Sequence, residues 1–194
     1  NLGSLAGLTG FLVNLVPMTA VFSLADAAID IWRLGGEFRP RWTAAFVSDF
    51  LNMVVVAPLV IAWGRGRWNA AAVEAFVESL RPRMAEGAVL FAGLAAATHF
   101  VFRAPPEAAY VSSLAYLCSP FLIWAALRFG VRAATIANVA FALIAYWHTA
   151  SGLGPFAMRG EAAGASLLQL QGFIAAAAVT ALFAASLLAE REFA

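Results

Sequence analysis

Tyr110 to Arg191 holds three charge-poor helical runs, separated by Arg128-Phe129-Gly130-Val131-Arg132 and by Gly152-Leu153-Gly154-Pro155-Phe156. The first separator is a basic turn and the second a Gly/Pro turn with no basic cluster. A chain that crosses a bilayer repeatedly marks its two sides in this way. The last run closes at Ala189-Glu190-Arg191-Glu192, as a helix does when it leaves the membrane.

Working outward, composition agrees: 63% of the residues are hydrophobic and 12% charged, with a mean hydropathy of +0.83. An ordinary soluble domain is about half apolar and a quarter charged. The net charge of +1 hides an uneven layout, because 1–25, 108–127 and 162–189 carry no charge at all. Each is long enough to span, since a crossing needs about 20 mostly apolar residues. All 12 basic residues are Arg, and no clustered basic face suggests a nucleic-acid partner. Cys118 is the single cysteine, so no intrachain disulfide forms. The chain opens inside an apolar run without a basic leader or cleavage site, as expected of a piece that lacks its leading helices.

Charge-poor windows predict an all-α, polytopic membrane bundle of about six transmembrane helices: 4–32, 42–64, 86–102, 108–127, 131–149 and 164–189. Between the second and third, 70–84 places Val73, Phe76, Val77 and Leu80 on one face and Glu74, Glu78 and Arg81 on another. This reads as a short interfacial helix ending before Pro82, or as a solvated linker helix. The whole of 1–194 is expected to be one domain, with 190–194 beginning a linker.

Direction follows from the loops, because Arg is enriched on the cytoplasmic side of short connections. A cytoplasmic C-terminus puts Arg65, Arg67, Arg81, Arg83, Arg128, Arg132 and Arg191 inside, against Arg33, Arg39, Arg41, Arg103 and Arg159 outside. Trp32, Trp42, Trp63, Trp68 and Trp147 lie at the expected helix ends, where interfacial anchors belong. Small-residue ladders at Ala177, Ala181, Ala185 and Ala189, and at Ala88, Ala92 and Ala96, would let helices approach closely; chance in an Ala-rich chain is the competing account.

Polar groups inside a membrane are costly and mark function first. With this topology Asp49, His99, His148, Gln169 and Gln171 collect in the outer half, with Asn52 one turn beyond Asp49. The expectation is a polar, signal-sensing pocket open to the outer side. Asp49, His99 and His148 share no metal-ligand spacing, so no metal or other cofactor is named. Pro120, Trp124 and Arg128 are spaced to share a helix face, Arg128 meets the negative end of the helix dipole, and Gly130 suits a left-handed cap. Gly152, Gly154 and Pro155 form a tight outer turn from which Phe156 can dip back into the interface.

These residues carry a resemblance. Val47-Ser48-Asp49-Phe50-Leu51-Asn52 with Ala57-Pro58-Leu59, then Ser119 to Gly130, Gly152 to Phe156, Leu168 to Gln171, and Leu188 to Arg191, resemble bacterial membrane-associated sensor domains of the first MASE class. Ser48 stands where that family usually has Gly before the Asp, and Asn52 where a second Gly is common, so their side chains are available to line a pocket. The resemblance implies about eight crossings in a complete domain, N-terminal to a histidine kinase, diguanylate cyclase or phosphodiesterase module, often through a PAS domain. It implies a non-catalytic inner-membrane sensor with lipid, a cytoplasmic module in cis, and a homodimer mate or another membrane protein as partners. Glu190 and Arg191 then lead into the output. Two other classes compete: a transporter fragment, suited by Pro17, Pro58 and Pro120 within helices, and an intramembrane enzyme using Cys118, whose distance from either histidine speaks against it.

Overall fold

In the computed structural model, residues 2, 4–64, 78, 81–105, 114–157 and 163–192 are described, and they form helices and short connections. Five helices carry the fold: α1 (Leu5–Leu34), α2 (Phe38–Gly64), α3 (Met84–Arg103), α4 (Ser119–Ala150) and α5 (Ala163–Glu192). Single 3-10 turns, Arg81–Arg83 and Ala115–Cys118, lead into α3 and α4. Among the described residues, five helices are long and apolar enough to cross a membrane. The expected interfacial helix at 70–84 falls mostly outside the described residues.

Residues 119–127 of the fourth expected window and the whole of the fifth lie in one helical run, α4, but Gly130 breaks it with φ 75° and ψ −169°; 108–113 of the fourth window fall outside the described residues. Only glycine enters that region without strain. The two arms run in opposite directions along α3. In the first arm Cys118 meets Thr98 and Arg128 meets Glu86. The second arm leaves that end and brings His148 back to His99. The reversal falls inside one helical run, and its signs in the sequence are Gly130 and the basic residues that flank it.

Several boundaries differ from expectation. α2 begins at Phe38, so Arg39 and Arg41 belong to its first turns rather than to a loop, and Arg41 reaches Asp30 on α1 at 4.0 Å. Pro120 sits in the first turn of α4, where no intrahelical N–H is needed, and introduces no break. Pro17 and Pro58 do lie inside helices.

The main core joins α3, α4 and α5 through Leu90, Leu94, Phe102, Leu122, Phe141 and Ile174. Phe102, Phe141, Phe156 and Phe173 stack in a continuous aromatic row with centroid separations of 5.4–6.2 Å. On α5 the close-packed stripe is Ala178, Ala181 and Ala185, so half of the expected ladder is used, shifted in register. The α3 ladder is not: Ala88, Ala92 and Ala96 face outward. Gly93 supplies the close approach there, since a Cβ would stand 2.6 Å from the Phe121 ring.

Candidate functional site

The contacts divide the six expected sensing residues among separate places. His99 and His148 come together: His148 Nε2 and His99 Nδ1 are 3.1 Å apart, joining α3 to the second arm of α4. The rings meet edge to face with centroids 4.9 Å apart. His148 is buried, whereas His99 is exposed. Which ring donates depends on tautomer, and either arrangement uses one proton for two facing nitrogens.

A second cluster sits where α2 meets α4 and α5. Gln171 Nε2 donates to Ser48 Oγ at 2.8 Å, and Tyr146 Oη donates to Asn52 Oδ1 at 2.8 Å. Ser48 and Asn52 are four residues apart and so present one helix face. Asp49 is turned toward α1, within electrostatic range of Asp26. Asp49 and Asn52, expected to act on one side, therefore face different neighbours. Gln169 lies on a third surface, lining a groove of about 650 Å³ with Tyr116, Ser119, Phe156 and Phe173.

Two further polar side chains, Asn138 and Tyr146, stand outside the expected set. Asn138 is buried deep in the bundle and donates to the Ala178 carbonyl at 3.4 Å, while its Oδ1 has no partner. Gln171 Oε1, of the expected set, is also buried without a partner among the described residues. Tyr146 was passed over as an aromatic. The signal existed for Asn138, the only amide in α4; for Tyr146 only the fold reveals the partner.

At the other end of the bundle, Glu86 gathers the basic turn. Arg128 Nε lies 2.8 Å and 3.0 Å from its two carboxylate oxygens, and Trp124 Nε1 donates to it at 3.2 Å. Arg83 reaches the Arg128 carbonyl at 3.4 Å, and the Arg132 guanidinium lies 5.8 Å from the Trp63 ring centre. Trp124 and Arg128 thus share a face as expected, but Glu86 is what fixes them.

The same end holds the expected output residues. Glu190 Oε1 accepts from Leu5 N at 2.7 Å, and Ser186 Oγ reaches the Leu2 carbonyl at 2.8 Å. A carboxylate at the first free N–H groups of a helix is favoured by their unpaired donors and by the helix dipole. Ser4 caps the same helix by accepting from Gly7 N at 3.1 Å. Arg191 is exposed beside it.

The Gly152 to Phe156 turn closes the opposite end as expected, with Gly154 N donating to Ala104 O at 2.8 Å. A Cβ on Gly154 would stand 3.0 Å from the Phe102 carbonyl, so the two connections can approach only with glycine here. Phe156 turns into the aromatic row rather than into the lipid interface. Cys118 is buried, its sulfur taking the Thr98 hydroxyl at 3.6 Å.

Helices this apolar, with lipid-type surfaces and buried polar pairs, define a polytopic helical membrane domain in contact with the bilayer. The family model MASE1 matches residues 5–192, nearly the whole chain, and the protein belongs to this family of membrane-associated sensory domains. No curated protein and no solved structure matches it.

Proposed function

We propose that this domain is the sensory input of a larger inner-membrane protein, anchoring and regulating a cytoplasmic histidine kinase or diguanylate cyclase type module that follows α5. In this reading the two arms of α4 each cross the bilayer, giving six crossings. The Gly130 end, with Arg83, Arg128, Arg132 and Arg191, faces the cytoplasm, and the histidine pair faces outward. The segment itself is non-catalytic and works as one half of a homodimer.

The observation that carries this reading is the placement of α5. Gln171 near one end touches the polar cluster on α2, and Glu190 at the other end caps α1. The two are separated by about 28 Å along a helix rising 1.5 Å per residue. A rearrangement of the outer polar contacts therefore moves a rod whose far end is the exit toward the output module. Signalling needs two packings of similar energy, which a ligand biases by its differential affinity. The polar contacts of α2, exchangeable one for another, are suited to supply them.

Output activity of the full-length protein in membrane vesicles tests this. Gln171→Leu and Glu190→Gln should each change basal output while leaving membrane insertion intact. Unaltered output in both variants under inducing and non-inducing conditions would sink the relay. Single cysteines at positions 99 and 191 in a Cys118→Ser background test the sidedness: aqueous reagent added outside should label the first only.

A further inference from the structure

We propose that His99 and His148 form a binding site for a borderline divalent transition-metal ion of the zinc type. Their facing nitrogens are 3.1 Å apart. Two imidazole nitrogens on one tetrahedral zinc, at about 2.0–2.1 Å each, stand roughly 3.3 Å apart. A metal ion can thus replace the shared proton with a change of a few tenths of an ångström in the separation of the nitrogens and a tilt of each ring by roughly 35°, both within side-chain motion. A hydrogen bond explains the contact in the absence of metal, with the two nitrogens aimed at each other; to share an ion the rings tilt until their lone pairs converge at a point beside the line that joins them.

The chemistry balances without loss of protons when both rings are neutral. In the hydrogen-bonded pair one facing nitrogen carries the proton and the other the lone pair. For both to ligate, the donor ring changes tautomer, its proton passing through solvent to its other nitrogen. The ion then binds two neutral imidazoles and keeps its charge. His148 is buried and held by packing, so it serves as the fixed ligand, while exposed His99 closes onto the ion and leaves the remaining positions to water.

Among the described residues no group of three or more His, Cys, Asp or Glu side chains comes together. The site therefore offers nitrogen donors and open positions, the pattern of an exchangeable site rather than of a closed structural one. Arg103 lies within electrostatic range of His148 and opposes the incoming cation. Imidazole-only ligation selects zinc, nickel or copper(II) over the oxygen-seeking magnesium and calcium. Because the two rings belong to α3 and α4, binding would clamp those helices at this end of the bundle.

The site stands on geometry alone and does not depend on the sensory reading. Tag-free protein in nanodiscs, titrated with Zn²⁺ by equilibrium dialysis, should bind one ion per chain. His99→Gln, a change at an exposed position, should weaken that affinity at least about tenfold, or roughly 1.4 kcal/mol. His148→Gln should do the same, and Asp49→Asn should not. X-ray absorption should count two imidazoles on the ion. Absence of saturable binding, or wild-type affinity in His99→Gln, would overturn the site and leave a hydrogen bond only. Either result leaves the relay standing or falling by its own output measurements.

Discussion

α1 and α2 differ from α3, α4 and α5 in how they are held. In the most apolar stretch of each of the first two helices, 17% of residues are buried, against 39% in α4 and in α5. α1 turns Val13, Met18, Val21, Phe22 and Ile29 outward, each more than half exposed, whereas Phe102 and Phe141 are wholly enclosed. Yet the pair is not loosely attached. Direct polar contacts fasten it: Ser48 to Gln171, Asn52 to Tyr146, Leu5 to Glu190, and Arg132 to the Ala62 carbonyl at 3.4 Å.

This difference separates two kinds of cohesion available in lipid. Outward apolar side chains gain nothing from leaving a medium as apolar as themselves, so packing must come from close van der Waals fit or from hydrogen bonds. The α3–α5 body rests mainly on fit, through aromatic rings, alanines and Gly93, with polar contacts such as Glu86 to Arg128 added at its ends. The α1–α2 pair rests on two small apolar clusters around Leu8 and Leu15 and leans more on polar contacts. Fit is unforgiving of rearrangement, because a small shift forfeits much of the dispersion energy. Discrete hydrogen bonds between side chains can be exchanged one for another, so the seam between this pair and α5 tolerates a relative shift that the packed body does not.

The sharpest way to break this comparison is to cut into the body. Phe141→Ala should lower the stability of the purified domain by about 3–5 kcal/mol, the range for a large aromatic removed from a packed core. Thermal or denaturant unfolding in detergent would read it. Val21→Ala on α1 should move the same transition by no more than about 0.5 kcal/mol, as for surface positions generally. Equal effects would erase the distinction.

Next in size is Gly130→Ala, which forces a Cβ into a backbone region only glycine occupies freely and should cost about 1–3 kcal/mol. If the break instead straightens at no cost, the variant will unfold like wild type. Smaller again is the seam itself: a double-mutant cycle between Ser48→Ala and Gln171→Leu should return a coupling near 0.6 kcal/mol, and no more than about 1.7. A coupling of zero would show that α2 is held by packing after all. Smallest is Glu190→Gln, which removes a charge from the start of α1 and should cost about 0.3–1 kcal/mol, falling with added salt. Hydrogen exchange at the Leu5 amide would localise that loss.

Much of the helical layout was legible because a bilayer imposes it. Uncharged stretches of span length, a basic turn at Arg128 to Arg132 and a Gly/Pro turn at Gly152 to Pro155 mark where the chain turns, and the structure places turns at both. The polar residues were legible as a set but not as pairs. His99 and His148 are 49 positions apart and meet only because the second arm of α4, after the reversal at Gly130, runs parallel to α3 in matching register. Asp49 and Asn52 looked like neighbours from spacing, yet the packing of α1 and α4 against α2 sends them different ways. Glu86 was invisible as the partner of Arg128, since nothing local links positions 42 residues apart.

What the order of residues determined alone was the solvent, the helices and most of their ends, because hydration of backbone and charge is a local property that each segment carries with it. Which faces meet, which ladder is packed and which polar atoms find one another were decided only by the tertiary structure. Those outcomes depend on register and rotation between helices distant in the chain, and in lipid a few close contacts outweigh any preference of the separate rods.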